Sequence, residues 1–329
     1  MSERRFICCV DIGYSNLKQA FGFEDSKPTM LISPVGAAPE SRLPQDFQIA
    51  RDGGVEVLVN GEPFVACVQP GRLSNWTRTL NEGYQDSDTY RALLHAALLQ
   101  TGREQIDVVV TGLPVDLYKD RDLRERLRAS LEGTHEVAKG VRVHVAEARV
   151  IAQPIGAYFD FIDQFEDLEL LEEARVLTLD PGYFSFDWVT IDQGDVRAES
   201  SDTNHLASSK VLEKAVGLMR ENYGRRAVTA EQLEVAIRHG RDEVLAKGTR
   251  VEFRPYLEKA SKEIGPVVLN DVKNSMRAAD RDVDFIFLAG GGAVFYRDAT
   301  AAAFPDTRII VPKEPVFANV RGYWFFGRQ

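Results

Sequence analysis

The chain has 329 residues, and its 40 Lys and Arg against 50 Asp and Glu give a formal net charge of −10. With 44% hydrophobic and 27% charged residues, the composition is that of a globular protein long enough for two domains, which excludes disordered and fibrous classes. The acidic balance disfavours direct binding to nucleic acid, because an acidic surface repels the phosphate backbone.

The cysteines and the apolar runs indicate the cellular compartment of the protein. Three cysteines, two of them adjacent at Cys8 and Cys9, do not make a disulfide framework. We therefore predict a reducing, cytoplasmic location. The apolar stretch 6–10 is stopped by Asp11 and is too short for a signal peptide. No apolar run is long enough to span a membrane, so no membrane partner is expected.

Apolar runs of strand length alternate with helical patterns, which is typical of the α/β class. The first half is predicted to open with two antiparallel hairpins, the second of which turns at Asn60-Gly61. A helix capped by Ser87 follows. The expected elements of this half are strands 6–11, 17–23, 55–59 and 63–68, a helix from 87 to about 102, strand 106–110, helix 117–131, strand 141–146 and helix 154–171.

The second half repeats the opening of the first. Strands 176–180 and 186–191 flank a glycine turn, and both halves carry Asp-x-Gly-Tyr where a strand ends, at Asp11 and at Asp180. Helices are predicted between 207 and 277 with a kink or break at Gly265-Pro266, before strand 285–289, three glycines and a helical tail. We place domain I at 1–168 with 318–329, and domain II at 169–317.

The turn after the first strand has the residue types of a phosphate site. A tight hairpin directs successive backbone N–H groups into one concavity that suits phosphate oxygens. Lys18 supplies a positive charge, and Asp11 can hold a hydrated Mg²⁺. The alternative is an ordinary hairpin with a surface lysine. The expected nucleotide-binding residues of this turn are Gly13, Tyr14, Ser15, Asn16 and Lys18.

The corresponding turn of the second half offers another carboxylate. Asp180 ends a buried strand and would face the same metal as Asp11, with Gly182 and Tyr183 in the turn that follows. The alternative is that Asp180 only caps a turn and that Asp187 lies on a solvated face, and this alternative is favoured for Asp187.

Two further segments complete the candidate site. Gln153 opens the predicted crossing helix, where its side chain can either orient a water for attack on a γ-phosphate or simply cap the helix. Gly290, Gly291 and Gly292 follow a buried strand and precede a helix, which allows a nucleotide to approach the backbone.

Other classes of site are disfavoured. The glycines at 290–292 match neither a P-loop nor a Rossmann fingerprint. The chain lacks a Gly-x-Ser-x-Gly elbow, and its five histidines show no zinc-ligand spacing with cysteines. Trp76 and Tyr84 are more typical of core or interface packing than of base stacking.

Taken in chain order, the segments at Asp11, Gln153, Asp180 and Gly290 resemble the phosphate 1, connect 1, phosphate 2 and adenosine motifs of the superfamily of actin, sugar kinases and heat-shock chaperone ATPases. The segment 319–326 resembles its connect 2 helix. Within the superfamily, the chain resembles the plasmid-segregation actins of the ParM/StbA type, including actin-like protein D of PRTRC plasmid systems. Sugar kinases and chaperones usually lack a lysine at the place of Lys18. Further stretches that carry the resemblance are Tyr84-Gln85-x-Ser87-Asp88 and Thr111-x-Leu113-Pro114.

The resemblance implies an actin-like ATPase fold, in which two ribonuclease-H-like domains surround a cleft for ATP or ADP and Mg²⁺. It implies that Asp11 and Asp180 organise the metal through water, and that Gln153 positions the attacking water. It also makes Arg238 a base or ribose contact, with 290–292 beside the nucleoside. The implied activity is ATP hydrolysis coupled to polymerisation into filaments for plasmid or DNA segregation, with DNA engaged through an adaptor protein.

The second turn departs from the pattern of the relatives, Asp-x-Gly-Gly-Thr-Thr. Tyr183, Phe184 and Ser185 replace the second glycine and the two threonines. Since a bulky residue resists positive φ, we expect a differently shaped loop with a weaker grip on the γ-phosphate. Gln153 replaces the glutamate of several bacterial relatives, so slow hydrolysis is expected. The alternatives are a small-molecule kinase of the same superfamily and a non-polymerising ATP-dependent scaffold.

Overall fold

The computed structural model describes residues 4–43, 53–73, 83–277 and 281–329, so Trp76 lies outside the described residues. The chain divides into two compact units, which we call unit 1 (Met1–Phe165 with Phe317–Gln329) and unit 2 (Glu166–Val316). The assignment of these units as actin-like domains I and II stays a prediction.

The described chain contains both strands and helices, and several runs of consecutive strands occur between helices. The strands are β1 (Phe6–Ile12), β2 (Asn16–Phe23), β3 (Thr29–Pro34), β4 (Gly36–Pro39), β5 (Val55–Val59), β6 (Glu62–Val68), β7 (Gln105–Leu113), β8 (Gly133–Ala138), β9 (Val141–Ala152), β10 (Arg175–Pro181), β11 (Phe186–Asp192), β12 (Asp195–Asn204), β13 (Glu243–Ala246), β14 (Thr249–Glu252), β15 (Phe285–Leu288) and β16 (Arg308–Ile310). The helices are α1 (Asp88–Gln100), α2 (Val115–Lys119), α3 (Arg121–Leu131), α4 (Gln153–Gln164), α5 (Leu168–Glu173), α6 (Ser208–Tyr223), α7 (Ala230–Arg238), α8 (Arg254–Ser275), α9 (Ala293–Ala303) and α10 (Ala318–Gly327).

Unit 1 is built on a mixed sheet with the strand order β3-β2-β1-β7-β9-β8. β1 pairs antiparallel with β2 and parallel with β7, and every residue of β1 is buried. A smaller sheet has the order β4-β6-β5. Its β5–β6 turn has positive φ at Asn60 and Gly61, as a two-residue hairpin of this sequence requires. The two hairpins predicted for this half are therefore present.

The helices of unit 1 cover the two faces of its main sheet. Ser87 caps α1 by accepting a hydrogen bond from the N–H of Tyr90, as its position before an apolar helical pattern predicts. The single helix predicted over 117–131 is wrong, because Asp120 has an extended backbone and its side chain caps the start of α3. The helix predicted over 154–171 is also too long, since α4 ends at Gln164 and α5 is separate.

The C-terminal helix α10 crosses α4 at very close range. A Cβ placed on Gly322 would lie 3.0 Å from the Cα of Gly156 and still closer to its carbonyl oxygen, so only glycine fits there. Beside this crossing, Arg321 donates two hydrogen bonds of 2.8 and 2.9 Å to the buried Asp160 carboxylate. α10 thereby places Tyr323 and Trp324 in an apolar cluster on one face of the main sheet.

Unit 2 repeats the strand arrangement of unit 1. Its main sheet has the order β12-β11-β10-β15-β16, in which β10 pairs antiparallel with β11 and parallel with β15. In unit 1, the neighbouring strands β3-β2-β1-β7-β9 are arranged in the same order. The shared Asp-x-Gly-Tyr segments therefore begin at equivalent places, Asp11 near the end of β1 and Asp180 near the end of β10.

The helical region of unit 2 differs from the prediction in two respects. The hairpin β13–β14 lies between α7 and α8, in the region where helices were expected to dominate. No break occurs at Pro266, which lies inside the continuous helix α8. Pro266 is exposed, so water can satisfy the carbonyl group left without its helical partner. None of the described helices is both long and apolar enough to cross a membrane.

Candidate functional site

The hairpin β1–β2 brings a carboxylate and an ammonium group together. Asp11 lies opposite Lys18 in the antiparallel register, so both side chains project from the same face. The Nζ of Lys18 donates to Oδ2 of Asp11 at 3.1 Å, and the Asp11 side chain is only 3% exposed. Their pairing satisfies two charges that would otherwise be costly to bury.

Gln153 joins this pair from another part of unit 1. It is the first residue of α4 and follows β9 directly, and its Nε2 donates to Oδ1 of Asp11 at 3.4 Å. The N-cap position of α4 is Ala152 and not Gln153, and no side chain caps this helix start. The capping alternative is therefore wrong, and the Gln153 side chain points to the carboxylate that the sequence had assigned to a metal.

The turn between β1 and β2 is short and internally bonded. The N–H of Gly13 donates to the carbonyl of Asn16 at 3.1 Å, and the Asn16 amide nitrogen donates to the hydroxyl of Ser15 at 3.1 Å. The Asn16 Oδ1 atom is buried and has no hydrogen-bond partner in the described structure. Tyr14 stacks on Tyr84, with ring centroids 4.6 Å apart. The turn thus gathers Gly13, Tyr14, Ser15 and Asn16 next to the Asp11 pair.

The hairpin β10–β11 of unit 2 forms a second turn, which is bonded to α6. The N–H of Gly182 donates to the Ser185 carbonyl at 2.8 Å. The N–H groups of Ser208 and Ser209, at the start of α6, donate to the carbonyls of Gly182 and Tyr183 at 3.2 and 2.9 Å. These bonds use the first amides of the helix to hold the shape of the turn.

Tyr183 and Phe184 are accommodated without backbone strain. Neither residue has a positive φ, so the loop does not require a glycine at either position. Tyr183 packs against the core of unit 2, and the Phe184 ring lies 5.1 Å from that of His205. The loop is held by packing and by α6. Its grip on a phosphate stays a prediction.

The three glycines between β15 and α9 lie against the β10 strand end. Gly290 has a φ of +74°, and a Cβ there would meet the Asp180 carboxylate and would lie 2.8 Å from the carbonyl oxygen of Pro181. The N–H of Gly292 donates to that carbonyl at 2.8 Å. Gly291 has room for a side chain, since only Val316 lies near it, at 3.7 Å. Within unit 2, Asp180 and the glycine loop therefore come together.

Arg238 is the last residue of α7, and it donates to Glu234 of the same helix at 2.9 Å. Glu234 is 8% exposed, so the arginine neutralises a nearly buried carboxylate. This contact gives Arg238 a role inside its own helix. A role toward a base or ribose stays a prediction.

Comparisons with known proteins bear on the whole arrangement. Residues 9–156 match the family model of the actin-like proteins' N-terminal domain. A non-polymerisable quadruple mutant of pCBH ParM is 20% identical to the chain, with 99% of each chain covered and a TM-score of 0.73. The ParM of a 15-stranded filament from Clostridium botulinum is 21% identical, with 99% of each chain covered and a TM-score of 0.74.

The chain has the ParM-type actin-like fold. An archaeal actin homologue in complex with ADP has the same fold, with 17% identity, 97% of this chain and 98% of the homologue covered, and a TM-score of 0.74. No curated protein sequence matches the chain. At these identities, the solved structures show the fold of this actin-like chain and not its activity.

Unit 2 buries the carboxylate of Asp187 in the β10–β11 hairpin. Asp187 was expected on a solvated face, which is wrong, because it is fully buried and accepts hydrogen bonds of 2.6 Å from Ser185 and from Thr203. It is also the register partner of Asp180. The signal was available, since residues paired across a hairpin share a face and the strand that Asp180 ends was predicted to be buried.

Tyr90 is a second residue that the motifs did not reveal. Burial raises its pKa to about 12, a hydrogen bond with Thr111 opposes that rise, and the charge of Asp11 adds to it. Tyr90 is therefore a neutral phenol close to the Asp11 carboxylate. Its position in the buried stripe of α1 gave no reason to separate it from the other core residues.

The carboxylates of this fold could bind Mg²⁺ only together with phosphates and waters. Within the described ranges, no group of three or more His, Cys, Asp and Glu side chains could hold a metal ion. Mg²⁺ commonly binds through one or two carboxylates together with phosphates and waters, without a cage of protein ligands. Each unit has one buried carboxylate beside a glycine turn, Asp11 in unit 1 and Asp180 in unit 2, and a single carboxylate is enough for that mode of binding.

Proposed function

We propose that this chain is an ATP-hydrolysing, filament-forming actin-like protein that binds Mg-ATP through its glycine turns. The observation that supports the proposal most strongly is the repetition of one arrangement. In each unit, a buried strand delivers an aspartate to a tight glycine turn, with Asp11 in unit 1 and Asp180 in unit 2.

Unit 1 contributes the groups suited to the phosphates. Lys18 carries the positive charge, and the turn offers backbone N–H groups and the Ser15 hydroxyl. With no ligand, Lys18 pairs with Asp11 at 3.1 Å. In the proposed complex Lys18 would turn toward a phosphate oxygen, and Asp11 would hold the metal through water. When bound, Mg²⁺ would neutralise phosphate charge.

Gln153 is the residue proposed to position the attacking water. Its amide can accept from a water and donate to a phosphate without becoming charged. The contact with Asp11 at 3.4 Å holds the amide beside the carboxylate. A glutamine cannot accept the proton that water loses, so we expect hydrolysis to be slow relative to binding.

The proposed output is assembly into a filament for plasmid or DNA segregation. A head-to-tail contact between identical subunits does not close, so it extends indefinitely. Bound ATP would favour the subunit conformation that repeats, and hydrolysis would weaken it. With a net charge of −10, the chain would engage DNA through an adaptor protein in the cytoplasm.

Polymer formation is the direct test. The purified chain is followed by light scattering and sedimentation with ATP, with ADP and without nucleotide, and the same series is run on Asp180→Ala. We expect sedimentable polymer with ATP only, and none from the variant. If no protein concentration gives polymer with ATP, the filament proposal is wrong. ADP release that requires an added alcohol would instead identify a small-molecule kinase.

The role of Gln153 has a matched control at the other end of α4. We expect Gln153→Ala to lower phosphate release about 100-fold while ATP-dependent polymer still forms. Gln164→Ala removes the same side chain from the last turn, where its Nε2 donates to the Asp160 carbonyl at 3.0 Å, and should leave release unchanged. Equal loss in both variants would point to damage to the helix.

A further inference from the structure

Tyr84 touches the phosphate-type turn of unit 1 in two ways. Its ring stacks on Tyr14, with an interplanar angle of 26°. Its hydroxyl donates to the carbonyl of Gly13 at 3.4 Å. The side chain is 4% exposed, so the expectation of core packing is met, yet the residue it packs on belongs to the turn.

Tyr84 is itself held firmly. It starts the short 3₁₀ helix Tyr84–Asp86, and its carbonyl accepts from the N–H and the hydroxyl of Ser87 at 3.0 and 2.6 Å. Its ring also meets Tyr90 edge-on, with centroids 5.6 Å apart and an interplanar angle of 89°. Because Ser87 and Tyr90 belong to the start of α1, Tyr84 is fixed to a helix and not to a loose loop.

The bond to Gly13 has a consequence for the next amide. In a trans peptide unit, the carbonyl and the following N–H point in opposite directions, and the chain contains no cis peptide in its described residues. Holding the Gly13 carbonyl toward Tyr84 therefore directs the N–H of Tyr14 away from Tyr84. The bond from the Gly13 N–H to Asn16 fixes the other side of the same residue.

We propose that Tyr84 is a positioning residue for the turn, and that it holds the Gly13–Tyr14 peptide with its N–H directed at a bound phosphate. The proposal rests on the proposed ATP-binding function. In this proposal, the ring stack orients Tyr14, and the Tyr84 hydroxyl orients the Gly13–Tyr14 peptide. When a donor is already held in place, little conformational entropy is lost on binding. Loss of Tyr84 should therefore weaken the affinity for ATP.

The test compares ATP binding and thermal unfolding in two substitutions of Tyr84. Tyr84→Phe keeps the stack and removes the hydroxyl, and should raise the Kd for Mg-ATP about threefold, as expected for a long hydrogen bond. Tyr84→Leu removes both contacts and should raise the Kd about 10- to 30-fold. The turnover number at saturating ATP should change less than the Kd, because the groups that contact the attacking water are intact.

The matched control lies at the far end of the same hairpin. Phe23 forms an edge-on pair with Phe6, with centroids 5.3 Å apart, where β1 begins and β2 ends. Phe23→Leu therefore removes an aromatic pair from the same two strands without touching the turn. We expect it to lower the melting temperature and to leave the Kd unchanged.

Each outcome decides one question. A Tyr84→Leu protein that binds ATP as the parent does, or a Kd that rises equally in Phe23→Leu, overturns the role of Tyr84. If Tyr84→Leu does not fold, Tyr84→Phe decides alone, and an unchanged Kd overturns the proposal. If the parent itself binds no ATP, the proposed function fails, and that failure is distinct from failure of Tyr84.

Discussion

Replacing Gly290 by alanine should disturb both the stability of unit 2 and the position of Asp180. Gly290 has a φ of +74°, which costs a residue with a Cβ about 1–2 kcal/mol. The added methyl would also meet the Asp180 carboxylate and would lie 2.8 Å from the Pro181 carbonyl oxygen, and overpacking of this kind costs about 1–3 kcal/mol. The sum is about 2–5 kcal/mol, a large part of the stability of a typical domain.

The neighbouring glycine is the control. Gly291 has no positive φ, is exposed and faces only Val316 at 3.7 Å, so Gly291→Ala should stay within about 1 kcal/mol of the parent. Calorimetry should show a melting temperature about 4–20 °C lower for Gly290→Ala and nearly unchanged for Gly291→Ala. Two equally destabilised variants, or an unaffected Gly290→Ala, would refute the reasoning from close approach.

Two further predictions concern unit 1. Gly322→Ala should destabilise it by about 3 kcal/mol or more, since the clash is with backbone and α10 must move away. The control lies in unit 2, where Gly217→Ala, in open space on α6, should stabilise that unit by about 0.5–1 kcal/mol. Urea unfolding of both variants checks the opposite signs. Burial lowers the pKa of His95 to about 4, so its neutral form stabilises the fold fully above about pH 6.5, and about 3 kcal/mol is lost as the pH falls from 6.5 to 4. The His95→Gln variant should show a smaller fall in unfolding free energy over that window, and an unchanged slope would contradict the assignment.

Local signals predicted the elements that form the site. Asn60-Gly61 specifies a two-residue hairpin turn, and Ser87 before an apolar stripe specifies a helix start, because each depends on neighbours in the sequence. The two Asp-x-Gly-Tyr segments likewise predicted equivalent strand ends, which the sheet order confirms. The ParM-type resemblance, carried by the order of the motifs, is confirmed at the level of the fold.

Features that depend on partners distant in sequence could not be predicted. The hydrogen bond from Thr203 that satisfies the buried Asp187 carboxylate comes from the next strand. The continuity of α8 through Pro266 depends on which face of the helix meets solvent. The contact between Gln153 and Asp11 joins residues 142 positions apart, and no local pattern separates it from a helix cap.

The placement of α10 affects how the protein is made. Val320, Tyr323 and Trp324 fill the interior of unit 1, yet they follow all of Glu166–Val316 in the chain. On the ribosome, unit 1 therefore emerges without one layer of its interior, while unit 2 is a single continuous segment that can fold as soon as it has left the exit tunnel. The uncovered apolar face makes the nascent chain prone to aggregation during translation, and a chaperone that shields it should raise the yield of soluble protein.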